Sequence, residues 1–148
     1  MKTSQYGIEL IKHYEGFEAK AYKCPAGVWT IGYGHTKGVQ EGDEWSEDHA
    51  NHMLALELEE YEGYVNDCVE VPLSQNQFDA LVSWTYNLGG GNLKASTMLK
   101  VLNQGKYDEV AYQMSRWNKA GGKVLEGLSK RRKSEGELFN GEDWRYWV

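Results

Sequence analysis

A chain of 148 residues, 41% hydrophobic and 26% charged, has the size and balance of one globular domain with a buried core. No apolar run approaches the roughly 18 residues of a membrane span, and MKTSQ leads straight into an amphipathic pattern without signal-peptide organisation, so the chain is expected to be made and kept in the cytoplasm and not inserted in a membrane. The net charge of −6 argues against nucleic acid as the main ligand, yet residues 1–93 carry 5 Lys and Arg against 15 Asp and Glu while residues 94–148 carry 11 against 7, a basic C-terminal part suited to an anionic partner.

From Ser4 to Tyr14, Ile8, Ile11 and Tyr14 recur at helical spacing with Leu10 beside them, and Gly16 supplies a stop. Glu15 therefore sits at a helix C-terminus, where the helix dipole disfavours a carboxylate and helps keep the side chain protonated. The period then changes. Ala21 to Cys24 and Val28 to Tyr33 are short, rich in strand formers and separated by Pro25, Ala26 and Gly27, which predicts a β-hairpin. Val28, Thr30 and Gly32 would share one face, with Trp29, Ile31 and Tyr33 packed behind. A third strand is expected near Val39 to Glu44.

Ser46, Glu47 and Asp48 form an N-cap with acids in the first turn, ahead of a stripe of Leu54, Leu58, Tyr61 and Val65, the pattern of a long connecting helix. After Pro72, Ser74 and Gln77 make a capping box before Phe78, Leu81 and Val82, and that helix should end before Gly89-Gly90-Gly91. Further helices are expected from near Ser96 to Gly105, near Asp108 with Val110, Met114 and Trp117 on one face, and from near Val124 through Leu125, Leu128, Glu135, Leu138 and Phe139. The fold class is α+β: a small β-containing lobe over about 16–70, and a helical lobe over about 71–148 that takes in the N-terminal helix.

One segment carries candidate chemistry. Eight residues separate Glu15 from Cys24 and five separate Cys24 from Thr30, in EGFEAKAYKCPAGVWTIGYGHT. Glycoside hydrolysis needs an acid for the leaving oxygen and a second group that activates water or traps the cationic centre. Downstream stand Asn76-Gln77-Phe78-Asp79-Ala80-Leu81 with Tyr86-Asn87, Leu102-Asn103 with Gly105, and Arg116-Trp117 through Ala120-Gly121-Gly122-Lys123 to Gly127-Leu128 and Arg131-Arg132. Taken in order, these motifs resemble the phage-type lysozymes, the muramidases of glycoside hydrolase family 24, over about residues 7 to 139.

The resemblance implies a lysozyme-like fold with a cleft between the lobes. It also implies a phage endolysin that cleaves the β-1,4 bond between N-acetylmuramic acid and N-acetylglucosamine and so lyses the host. Carried over, Glu15 is the general acid, Cys24 stands where the family usually has the Asp that positions the attacking water, and Thr30 hydrogen-bonds that water. His35 is largely a structural hydrogen-bonding residue in the family, and it joins Tyr33, Asn87 and Arg131 as a candidate substrate contact. The implied partners are peptidoglycan and a holin that opens the inner membrane to a monomeric enzyme, which then acts in the periplasm.

The departure at Cys24 has a physical consequence, because a thiol titrates near roughly 8.5 and is mostly neutral at pH 7 unless its pKa is lowered. A Cys-dependent wall peptidase or amidase with His35 or His49 as base, and a non-catalytic wall-binding module, are the alternative functions. No cofactor or metal site is read. Cys24 and Cys68 match no metal motif and are read as free thiols, His49 and His52 lack a third ligand, and Gly89-Gly90-Gly91 lacks the Lys of a phosphate loop. Residues Lys130 to Lys133 are either wall contacts or a helix face with intraprotein ion pairs. Most aromatics are core by their spacing, with Trp144 and Trp147 in the tail left open.

Overall fold

In a computed structural model, which describes residues 1–147, α1 (Gln5–Glu15) ends where the sequence places the stop: Gly16 adopts φ 72° and its N–H donates to the Lys12 carbonyl. Ser4 caps α1 without a cap bond of its own, because its N–H and hydroxyl both donate to the Asp79 carboxylate. Leu10 and Ile11 are buried, and Ile8 and Tyr14 pack at the margin of the same core.

β1 (Glu18–Lys23) and β2 (Trp29–Gly32) pair antiparallel, with Tyr22 opposite Thr30 and Lys23 opposite Trp29. The hairpin begins three residues earlier than the strand-former run predicts, and Cys24 lies just past β1 in the turn, its N–H donating to the Val28 carbonyl at 2.9 Å. Ile31, Thr30 and Tyr33 are all buried, so both faces of β2 are covered. The third strand expected at Val39 to Glu44 is reduced to one bridge, Lys20 to Glu44. Its backbone is bent by Gly38 and Gly42 at positive φ and by a turn in which Gln40 N–H donates to Asp43 Oδ2, so only its end runs beside β1, where Ala21 N–H donates to the Asp43 carbonyl and Trp45 N–H to the Ala19 carbonyl.

α2 (Glu47–Cys68) starts on Ser46, which accepts from His49 N–H, and buries Ala50, Leu54, Leu58 and Val65. α3 (Gln75–Leu88) opens with the Ser74 and Gln77 capping box. Every residue from Phe78 to Thr85 is buried, as befits a helix covered by α1, α2 and α7 (Glu126–Phe139). Only Gly89 of the glycine triplet ends a helix. Gly90 begins α4 (Gly90–Ala95), and a Cβ there would stand 2.7 Å from the Tyr64 ring, so the glycine permits close packing on α2 rather than a turn.

α5 (Thr97–Asn103) is capped by Ser96, and a 3-10 turn at Tyr107–Glu109 precedes α6 (Val110–Ser115). A two-residue hairpin, β3 (Lys119–Ala120) and β4 (Lys123–Val124), turns through Gly121 and Gly122 at positive φ and delays α7 to Glu126, two residues after the expected start. Trp144 joins the core, 5.6 Å from the His13 ring, whereas the side chain of Trp147 lies outside the described residues. Among the described residues, no helix is long and apolar enough to cross a membrane, and Cys24 and Cys68 are free.

Candidate active site

Glu15 leaves the end of α1 with its side chain 18% exposed and is fixed from two sides. Arg131 of α7 places Nη1 2.7 Å from Oε2, while Oε1 fits against Gly34, where a Cβ would stand 2.7 Å from that oxygen. Gly34 also has φ +84°, so its absent side chain serves both the turn and the carboxylate. Tyr86 of α3 approaches the same corner. Its phenol donates to the Tyr33 carbonyl at 2.8 Å, and its pKa is pushed up first by burial and then by the Glu15 charge.

Cys24 and Thr30 come together at the turn of the hairpin. The thiol pKa is held below its ordinary value, chiefly by hydrogen bonds from the Val28 and then the Ala26 backbone, with the Thr30 hydroxyl adding to them against the opposing effect of desolvation. The Thr30 hydroxyl also donates to the Val28 carbonyl at 3.0 Å, which fixes it beside the turn that holds the sulfur. Tyr22 is cross-strand from Thr30 and 39% exposed. Its pKa is raised by burial first and then by the charges of Glu18, Cys24 and Glu15. Sequence reading passed over Tyr22, although strand alternation from Thr30 through the hairpin register would have found it.

The other candidates are each held by neighbouring parts of the fold. Tyr33 is buried, its ring against Phe17 and under the Lys12 ammonium. Both nitrogens of His35 are occupied, Nδ1 by Glu57 and Nε2 by the Lys37 carbonyl at 2.8 Å, and the ring packs on Trp45. That makes it a brace between the segment after β2 and α2, and no free base for Cys24. The His49 ring likewise packs edge-on against Trp45. Arg131 is 4% exposed and therefore meets Glu15 rather than polymer, and Arg132 is buried beside it, donating to Asn87 Oδ1 at 2.8 Å. Asn87 is half-buried with its carbonyl oxygen so engaged.

Glu135, fully buried, lies between the two arginines. Its helical spacing sets it on the stripe of Leu128, Leu138 and Phe139, but a Glu ordinarily faces water, and the partners that let its carboxylate be enclosed are not visible in that spacing. A cavity of about 290 Å³ lined by His35, Thr36, Lys37, Glu57, Glu60 and Tyr61 adjoins the site. Neither Glu15 nor Cys24 lines it, and the link is Tyr61, whose phenol ring stands 5.0 Å from that of Tyr86. No group of three or more His, Cys, Asp or Glu residues with metal-binding geometry occurs among the described residues.

Comparison with known proteins shows what the chain is similar to. The family model described as phage lysozyme matches residues 12–135. An endolysin of an Acyrthosiphon pisum secondary endosymbiont phage is 42% identical over 94% of this chain and 98% of its own length. An endolysin of Bacillus phage B103 is 45% identical over 94% of this chain, which spans only 54% of that longer protein. The muramidase domain of SpmX from Asticaccaulis excentricus superposes with a TM-score of 0.88 at 41% identity, covering 93% of this chain and 97% of the domain.

Proposed function

This chain belongs to the phage lysozyme family, and from that premise we propose that it is an endolysin hydrolysing the β-1,4 bond between N-acetylmuramic acid and N-acetylglucosamine of peptidoglycan, with Glu15, Cys24 and Thr30 as its catalytic residues. The observation that supports the reading is the placement of Glu15 at the end of α1, gripped by Arg131 at 2.7 Å, and of Cys24 in the β1–β2 turn with Thr30, its sulfur held by backbone donors.

In the reaction, protonated Glu15 gives its proton to the glycosidic oxygen as that bond breaks. The negative charge left on the carboxylate is met by Arg131 at 2.7 Å, a preorganised counter-charge that costs no reorganisation as the charge develops. Water bonds to the anomeric carbon, and its proton passes to the Cys24 thiolate. Thr30 orients that water, its hydroxyl held at 3.0 Å from the Val28 carbonyl. Proton return from Cys24 to Glu15 through solvent resets the site. Net consumption is one water per bond.

The chain is read as one domain, its small lobe over about 16–70 and its helical lobe over about 71–148 with α1. It acts as a monomer on periplasmic peptidoglycan, and passage there depends on a holin. Glu15→Gln should leave thermal unfolding close to wild type and abolish the release of new reducing ends from purified peptidoglycan. A Gln variant as active as wild type, or products bearing new free amines instead of reducing ends, would overturn the assignment; the second outcome would favour an amidase.

A further inference from the structure

The geometry points to Glu135 as a positioning residue for Glu15, acting through Arg131; this rests on the muramidase reading. Glu135 never reaches the reacting atoms. Its side chain is 0% exposed on α7, and its carboxylate gathers three partners: Arg131 Nε at 3.2 Å from Oε2, Arg132 Nε at 2.7 Å from Oε1, and the Ser83 hydroxyl of α3, which donates to Oε2 at 2.6 Å.

The guanidinium of Arg131 is consumed edge by edge. Nε faces Glu135, Nη2 donates to the Ser83 carbonyl at 3.2 Å, and Nη1 is left to donate to Glu15 Oε2 at 2.7 Å. A planar fork with two of its edges anchored has one direction left for the third. The Tyr14 ring, 5.9 Å from the guanidinium carbon, adds a further boundary, and its own hydroxyl is paired with Ser134. Glu135 thereby aims Arg131 at the acid.

Charge balance supports the same role. Two guanidinium groups, Arg131 and Arg132, are buried beside two carboxylates, Glu15 and Glu135. Without Glu135, both cations would rely on Glu15 and on neutral acceptors such as Asn87 Oδ1 and the Trp117 carbonyl. Removing Glu135 would leave two buried cations with one carboxylate, Glu15, which Arg131 already meets at 2.7 Å. Arg131, no longer anchored through Nε, would shift toward α7 and take the Glu15 carboxylate with it, away from Gly34.

The test is a double-mutant cycle on the full chain, read as kcat and KM for release of reducing ends from peptidoglycan, with unfolding followed by circular dichroism. Glu135→Gln, isosteric but uncharged, should lower kcat about tenfold with KM unchanged, since misplacement of an acid by a fraction of an ångström acts on the transition state. On an Arg131→Gln background the same substitution should cost nothing further, because the effect runs through Arg131. Glu135→Asp keeps the charge, and so guards against a Gln variant that does not fold; its shorter side chain cannot span both Arg131 and Ser83, and kcat should again fall at constant KM. A folded Glu135 variant with wild-type kcat, or losses that add in the Arg131→Gln background, overturns the inference while wild-type activity stands. Absence of reducing ends from wild type overturns the muramidase reading itself, and the inference with it.

Discussion

Cys24 owes its chemistry to the backbone of a five-residue turn. A thiol at an ordinary position would be mostly protonated at neutral pH, but here the N–H groups donated by Val28 and Ala26 favour the sulfur anion, and the Thr30 hydroxyl joins them. The sign follows directly: a lowered pKa makes the thiolate available from below the usual thiol range upward, and protonation removes it as pH falls. Activity that depends on this thiolate should rise with pH through that ionisation. Cys24→Asp should keep or raise the rate and extend activity to more acidic pH, whereas Cys24→Ala should lower kcat by about 100-fold, the lower end of general-base contributions. Superimposable pH profiles for all three proteins would leave Cys24 with packing alone. The spacing of Glu15, Cys24 and Thr30 was legible in the sequence as a pattern. The donors around the sulfur were not, because they are backbone groups oriented by the register of the hairpin.

Among the elements, helix ends marked by a cap or stop residue lie where that residue stands. Ser46 and the Ser74 and Gln77 capping box start their helices, and Gly16 stops α1. Where a glycine had two possible reasons, local reading chose the turn. Gly90 instead lets α4 pack on Tyr64, and β3 and β4, two residues each, are too short to show any period. Gly34 serves both ends at once, with φ +84° and a Cβ position 2.7 Å from Glu15 Oε1. Gly34→Ala should therefore destabilise the chain by about 1–2 kcal/mol through the left-handed backbone alone. It should also depress kcat well beyond what that loss explains, because the carboxylate is the movable partner in the clash. Urea unfolding and kcat measured on the same preparation separate the two effects, and a variant that loses stability but keeps full kcat would show that Glu15 tolerates displacement.

At the scale of the whole molecule, α3 is the element on which the rest is built, with α1, α2 and α7 around it and Leu81 and Trp84 fully enclosed. Trp84 meets Trp117 edge to face at 5.3 Å, tying α3 to the segment after α6. Leu81→Ala leaves a cavity in this centre and should cost about 2–5 kcal/mol, seen as a lower urea midpoint with kcat of the remaining folded enzyme unchanged. A drop in kcat per folded molecule would mean that the core transmits its packing to the site. The same centre carries the buried arginines. Residues 130–133 leave two readings open by sequence, wall contacts or intraprotein pairs, and Arg131 and Arg132 take the second, both buried. What the sequence by itself determined is what local chemistry encodes: helix starts and stops, the hairpin, the order of the family motifs, and the spacing of Glu15, Cys24 and Thr30. What only the tertiary structure decided is which charges are enclosed and by whom. Arg131 is 116 residues from Glu15 in the chain, and no periodicity links them. A buried guanidinium persists only where carboxylates from other parts of the fold surround it, so its role is a property of the packed molecule.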